Sequence, residues 1–364
     1  MKLLLLSDIN STHTQKWALG LASSGFTIGI FSLRKPDSDW YSGKGILIFG
    51  NNKTEKSGRS TLWKLVKSIG ILKKVIREFK PDIVHAHYAT SYGLLGTMTR
   101  FHPLILSVWG SDVYDFPNIS FLHRFILKYN LKHADKILST SHSMAKETTK
   151  FTNKDITVIP FGIDINIFIK RRVISIFKED EIVIGTIKSL EEKYGIRYLI
   201  DAFDILIKRK YSSPMKLLIV GEGSLMNDLK NLCRQKGIEN LVTFTGKIPQ
   251  EQVPDYHNMM DVYVSLSIDD SESFGVAALE SSACSNPVVV SDVSGFIETT
   301  KDGLTGLIVP RKNKEAAADA IEKIICNKEF AKNLGENGRK NVEENYNWET
   351  NLQQQIAVYK NLLG

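Results

Sequence analysis

Three cysteines in 364 residues are too few and too scattered to staple the chain. Cys233, Cys284 and Cys326 fit neither a disulfide framework nor a zinc spacing, and read as core or surface thiols. No long apolar run occurs early either. The longest, Leu3 to Leu6, is stopped by Ser7-Asp8. It is too short for a signal-peptide core and far too short to span a bilayer, so a cytoplasmic protein is expected. Asp8-Ile9-Asn10-Ser11-Thr12-His13 follows it with no Gly-x-Gly-x-x-Gly, which argues against a nicotinamide dehydrogenase. The phosphate-binding loop Gly-x-x-x-x-Gly-Lys-Ser/Thr is missing too, as are short-period repeats and low-complexity tracts.

What is present is enough apolar material, 43% of the chain, to bury two ordinary α/β cores, and two domains are the expectation. Charge divides unevenly between the halves. Residues 1–170 hold 23 Lys+Arg against 12 Asp+Glu, net +11, and the remainder 24 against 28, net −4. Within the basic half, Lys53 to Lys80 carries nine cations against Glu55 and Glu78, interleaved with Leu62, Trp63, Leu65, Val66, Ile69, Leu72, Val75, Ile76 and Phe79. That pattern predicts a basic amphipathic helix. Its flank can lie on an anionic membrane surface, or its apolar face can pack on a sheet while its lysines are solvated. No nucleic-acid recognition module accompanies it, so nucleic acid is not an expected partner.

Strand and helix signals alternate along the whole chain. Strand-like runs include Leu3 to Leu6, Thr27 to Leu33, Ile83 to Ala86, Leu104 to Val108, Ile137 to Thr140 and Thr157 to Ile159 in the first half. The second half repeats them with Ile182 to Gly185, Lys216 to Val220, Val242 to Phe244, Val262 to Leu266, Val288 to Val290 and Leu307 to Val309. Two parallel-sheet domains follow, with a boundary near Pro160-Phe161-Gly162-Ile163-Asp164, giving 1–165 and 166–347. A ligand cleft is expected at the carboxyl ends of the strands.

The segment from Ile268 to Glu280 carries the most chemistry. It sets two carboxylates, Glu272 and Glu280, eight residues apart around the Phe274-Gly275 turn, between a strand ending at Leu266 and a helix of small residues from Val276. Unpaired N–H groups near Gly275 and Val276 at such a helix start suit a diphosphate, and Gly275 would let it approach the backbone. Glu280 could then accept from ribose hydroxyls and Glu272 from a hexose. The plainer alternative makes both glutamates solvated acids at a helix N-terminus, where acids are mildly favoured.

Glu272, seven residues, Glu280 and then Asn286-Pro287-Val288-Val289-Val290 resemble the signature of the family-4 retaining glycosyltransferases, of the group 1 type found in bacterial cell-surface polysaccharide biosynthesis. The resemblance covers almost the whole chain. Ile159 to Asp164 with Phe168 is similar to the family's interdomain segment, Ile219-Val220-Gly221-Glu222-Gly223 to its glycine turn, and Phe244 to Ile248 to the stretch whose backbone meets the nucleobase, here Lys247 and Ile248. It implies the GT-B fold: two facing Rossmann-like doubly wound α/β domains, an acceptor-binding one at 1–165 and a nucleotide-sugar-binding one at 166–347. The C-terminal helix, 348–364, would cross back to the first.

By that resemblance Lys193 fits the second position of a basic pair. Thr186 stands where an arginine is usual, with Lys188 as the nearest substitute. A lysine supplies a point charge without the guanidinium fork. Ser273, Phe274, Gly275, Val276 and Gly221 join the donor site. In the first domain the usual glycine-rich turn is replaced by Asn10 to Trp17, with Asn10 and Ser11 at the strand end. Trp109 occupies a position where many relatives place a histidine near the reacting sugar. His87 and Asp112 are further candidates on the acceptor or sugar side, against structural hydrogen bonding for the one and turn capping for the other. The implied reaction moves a sugar from a nucleoside-diphosphate sugar, with retention, to a hydroxyl of a glycan or lipid-linked acceptor. Lysines and a helix end would meet the leaving-group charge. No Asp-x-Asp pair offers an evident ligand set, so neither metal nor cofactor is expected. A soluble acceptor, or a binding protein with a degenerate site, are the alternatives.

Overall fold

The computed structural model describes residues 1–50, 62–209, 211 and 213–364. They form two units, Met1–Phe161 with Glu349–Gly364, and Gly162–Trp348.

In the first unit seven strands, β1 (Lys2–Leu6), β2 (Thr27–Ser32), β3 (Leu47–Gly50), β4 (Ile83–His87), β5 (Leu104–Val108), β6 (Lys136–Ser139) and β7 (Ile156–Val158), form one sheet in the order β3-β2-β1-β4-β5-β6-β7. Every pairing is parallel. β4 and β5 are buried at every residue. That is why these strands read as continuous apolar runs and not as alternating ones. The chain runs outward from β1 to β3 and returns on the other side as β4. The order therefore reverses between β1 and β4, where Leu6 pairs with Ala86 and leaves Ser7 beside His87. Sheets of this kind present their ligand crevice at such a reversal.

The helix Leu62–Phe79 buries Leu72, Val75 and Phe79 in the core with Leu4, Leu6 and Phe31, and leaves Lys67, Lys73, Lys74, Arg77 and Lys80 exposed. From residue 67 onward its apolar face is therefore spent on the sheet. The rest of the expected basic surface, residues 53–61 and the side chains of 62–66, lies outside the described residues. β3 escaped the sequence reading because this short edge strand leaves Leu47 and Ile48 exposed. The helix Trp348–Leu363 completes the unit as the resemblance implied. Tyr359 is fully buried and its hydroxyl lies 2.7 Å from His85 Nδ1, while Asn351 Nδ2 donates to the Pro160 carbonyl at 3.2 Å.

The second unit repeats the pattern with β8 (Ile182–Ile187), β9 (Met215–Val220), β10 (Val242–Gly246), β11 (Val262–Ser265), β12 (Val288–Ser291) and β13 (Leu307–Val309), all parallel in the order β10-β9-β8-β11-β12-β13. Alternate strand residues feed two cores. Ile184, Leu217, Ile219 and Val264 pack with Phe203 and Ile321 on one face, and Val183, Leu218, Tyr263 and Val290 with Phe296 on the other. The helix Ile196–Lys208 meets the first core through Ile196, Leu199, Ile200, Phe203 and Leu206, a single helical stripe. The irregular segment after Gly162 is tied down by Arg339, whose guanidinium donates to the carbonyls of Ile165, Phe168 and Ala283 at 2.6–3.0 Å. Here the reversal falls between β8 and β11.

Candidate active site

Lys188 is the first residue after β8, and its position is set by backbone. Its N–H donates to the Val220 carbonyl at 2.9 Å, and Gly221 closes on its carbonyl so tightly that a Cβ there would stand 2.0 Å from the Lys188 oxygen. Gly221 has φ +133°, so it is a glycine for two reasons at once. Through these backbone contacts it seats Lys188. β8 runs two residues past Gly185, which packs on Met260, and Thr186 is fully buried inside the strand. The side chain at the strand end is that of Lys188.

The Lys188 ammonium pairs with Glu272 Oε2, and both side chains are nearly buried. The other carboxylate oxygen of Glu272 accepts from the Gly275 N–H at 3.1 Å, and Ser267 Oγ donates to Oε2 at 3.4 Å. Glu272 thus already occupies the cation and the helix-end donor that were expected to face a diphosphate. The reason is local: a carboxylate three residues before Gly275, the N-cap of the helix Val276–Ala283, reaches forward to that residue's N–H. Gly275 is constrained from a second side as well. It sits at φ +76°, and a Cβ would meet the Phe296 ring at 2.5 Å, so glycine is required by Phe296 packing. Ser273 and Phe274 are buried, Phe274 against Tyr346 with ring centroids 5.6 Å apart, so the loop offers its backbone. Val276 is half-buried at the helix start.

Lys193 stands beside the same group. The ammoniums of Lys188 and Lys193 lie 4.8 and 5.1 Å from the Tyr194 ring centroid, a cation–π arrangement that brings both charges to one ring. The Lys193 carbonyl accepts from Ile268 N–H at 2.8 Å, fixing that turn to the end of β11. The loop between is anchored by Asp270, which accepts from the Ser294 N–H and hydroxyl at 2.9 and 2.7 Å and pairs with Arg311. Lys247, exposed, and Ile248, half-buried, follow β10 at the same carboxyl edge of the sheet.

Glu280 projects from the helix with 14% of its side chain exposed, and its Oε2 lies 3.7 Å from His257 Nε2. His257 is wholly buried, and neither ring nitrogen has a hydrogen-bond partner among the described residues. Sequence reading missed both His257 and Tyr194. A lone histidine in a short helix and a tyrosine following a lysine carry no pattern until the fold sets His257 beside Glu280 and Tyr194 beside Lys188.

In the first unit the strand ends hold a cluster of rings. His87 stacks obliquely on Trp109 with centroids 4.3 Å apart, and His13 lies flat on Phe161 at 4.0 Å and edge-on to Trp109 at 6.0 Å. His13 was not singled out in the sequence, although it belongs to the helix Thr12–Ser23 that starts at the reversal. His87 Nδ1 meets Ser7 Oγ at 3.1 Å, and Ser7 Oγ lies 2.6 Å from Thr14 Oγ1. Burial pushes the His87 imidazole well below its ordinary pKa, with His85 and His13 adding to the effect. Burial alone brings His85 to about 3. Both rings are therefore neutral at pH 7.

Asp112 is a brace. Its fully buried carboxylate accepts from the N–H groups of Ala89, Trp109 and Gly110 at 2.8–3.1 Å, joining the loops after β4 and β5. Burial raises its pKa against those three bonds. The turn-capping alternative is the one the structure realises. Asn10 is a brace too, donating to the Lys35 carbonyl and accepting from Asp37 N–H, both at 2.9 Å. Ser11 caps no N–H with its side chain and serves as the turn before the helix.

Comparison with known proteins finds relatives of both units. The family described as Glycosyl transferases group 1 matches residues 168–341, and that described as Glycosyl transferase 4-like matches residues 2–141. The chain is 28% identical over 301 residues to N-acetyl-alpha-D-glucosaminyl L-malate synthase of Bacillus anthracis, covering 78% of this chain and 75% of that protein. It is 27% identical over 321 residues to the capsular polysaccharide biosynthesis glycosyltransferase CapM of Staphylococcus aureus, covering 84% and 82%. Among solved structures, sucrose-phosphate synthase from Thermosynechococcus elongatus matches with a TM-score of 0.86 at 21% identity, covering 100% and 99% of the two chains. HepE from Anabaena, solved with UDP and glucose, matches with a TM-score of 0.80 at 16% identity, covering 99% and 100%.

Proposed function

Because the chain belongs to the family-4 glycosyltransferases of the GT-B class, we propose that it transfers a sugar, with retention at the anomeric carbon, from a UDP- or GDP-sugar to a hydroxyl of a glycan or lipid-linked acceptor in polysaccharide biosynthesis. The observation that carries this reading is the meeting of Lys188, Glu272 and the start of the helix Val276–Ala283 at the reversal of the second sheet, with Glu280 further along the same helix. A cation, a set of backbone donors and two carboxylates are what a sugar diphosphate requires. The chain's likeness to a capsular polysaccharide transferase and to a protein solved with UDP supports the donor and acceptor classes.

Donor binding exchanges partners within this group. The diphosphate takes Lys188 and the Gly275 N–H from Glu272, and the released carboxylate turns to the sugar hydroxyls. Lys193 shares the charge that develops on the leaving diphosphate, and Glu280 accepts from the ribose. Fixed charges of this kind usually supply the largest catalytic term, and no metal is needed for it. A soluble acceptor is the second reading, favoured by the likeness to a malate glycosylating enzyme. Against the degenerate-site alternative, a cation, Lys188, stands at the end of β8 and pairs with Glu272.

Replacing Glu272 by Ala should lower kcat by about 10²–10³, the loss typical of one electrostatic contributor. Transfer is followed with candidate donors after a thermal-shift panel of UDP, GDP, ADP and their sugars, and the product anomer is read by NMR. Unchanged transfer by Glu272→Ala would refute the assignment.

A further inference from the structure

Among the described residues, four strongly exposed apolar side chains cluster far in sequence from the candidate site. Phe121 is 85% exposed, Ile119 65%, Leu122 61% and Phe125 57%, all at one helix–turn–helix, Phe116–Ile119 and Phe121–His133. The second helix buries Leu127, Asn130 and Leu131. At 3.6 residues per turn, Phe121, Phe125, Lys128 and Lys132 share the opposite stripe, with Leu122 and Tyr129 on its flank. The stripe is apolar for its first two turns and cationic thereafter, and Phe125 stacks on Tyr129 with centroids 6.4 Å apart. From Phe116 to Ala134 there is no Asp or Glu. Lys154 adds a further cation at the C-terminal end, donating to the Lys132 carbonyl at 2.7 Å, while Asp135, the acid next in line, is held by His102 at 2.7 Å. Arg124 lies over the Phe151 ring of its own chain and is not counted in the stripe.

An apolar tip followed by uncompensated lysines is the composition of a helix that lies in the interface of an anionic bilayer. We infer that residues 119–132 of the first unit form the membrane-docking surface of this protein, with the side chains of Ile119, Phe121, Leu122 and Phe125 entering the headgroup boundary and Lys128 and Lys132 meeting lipid phosphates. The surface expected from sequence was Lys53 to Lys80, whose described part spends its apolar residues on the sheet. A second copy of the chain is the competing occupant. The row of lysines disfavours it, because an isologous contact would bring like charges together. The inference rests on the proposed lipid-linked acceptor only for its purpose, since lipid binding can be read without donor or acceptor.

The test is co-sedimentation of the full chain with phosphatidylcholine vesicles, with and without phosphatidylglycerol, alongside light scattering of the free protein. Wild type should pellet with the anionic vesicles only, and less in high salt. The variants F121S/F125S and K128E/K132E alter exposed positions and should each fold normally while reducing binding by about tenfold or more. Binding that both variants retain, no binding by wild type, or a dimer that F121S/F125S converts to monomer would overturn the inference. Transfer to a water-soluble acceptor analogue should be unchanged in both variants. If transfer fails in wild type while vesicle binding holds, the proposed function is at fault and the docking surface stands.

Discussion

Lys188 shows how little of a site is decided by the residue that carries it. Its charge is evident in the sequence, but its place is fixed by Gly221, which touches its carbonyl and tolerates no side chain. Gly221→Ala should therefore destabilise the second unit by about 3 kcal/mol, from the strained positive φ and the backbone clash together. Urea denaturation measures it, and the same variant should lose nucleotide affinity because Lys188 moves. A stability loss without an affinity loss would separate Gly221 from Lys188. Glu272 and Glu280 were legible as a pair from their spacing. The engagement of Glu272 with Lys188 and Gly275 was not, because it depends on where β8 ends, two residues beyond the glycine that appeared to end it.

At the scale of elements, β4 is held to the C-terminal helix by a chain of neutral hydrogen bonds: Tyr359 hydroxyl, His85 and Ser107 hydroxyl, each contact 2.7 Å. Burial lowers the folded pKa of His85 to about 3, and the unfolded chain takes up a proton near 6.5. The unfolded state therefore binds more protons between these values. Stability should be fully present above about pH 6.5 and fall as pH drops toward about 3, with His87 contributing in the same direction. Chemical denaturation at pH 7 and pH 5 reads this loss, and His85→Gln should flatten part of it. A pH-independent first unit would contradict the buried neutral pair. The sequence marked His85 and His87 as strand-end residues, but Tyr359, the partner of His85, lies 274 residues away. No local pattern reports such a pairing.

At the scale of the whole molecule, the residues of the proposed donor site, Lys188, Lys193, Glu272, Gly275 and Glu280, with Tyr194 and His257 beside them, all belong to Gly162–Trp348, which has its own two cores. Expressed alone, that segment should fold and retain a nucleotide-dependent rise in melting temperature, followed by thermal shift. Residues 1–161 alone should fold poorly, because the helix that buries Tyr359 and Ile356 is missing. If the isolated second segment folds without a nucleotide response, the binding group is incomplete within it.

By itself the sequence determined the alternation of strands and helices, the two parallel sheets and the spaced carboxylates. Each rests on local periodicity or on a motif shorter than a single element. Only the tertiary structure decided the rest. It placed Thr186 inside a strand, turned Asp112 and Asn10 into braces, spent the described apolar face of the basic helix on the sheet, and left Phe121 and Phe125 outside it. Those outcomes depend on strand length and on which face of a helix meets the core. Residues far apart in the chain settle both through packing, so no window of sequence contains them.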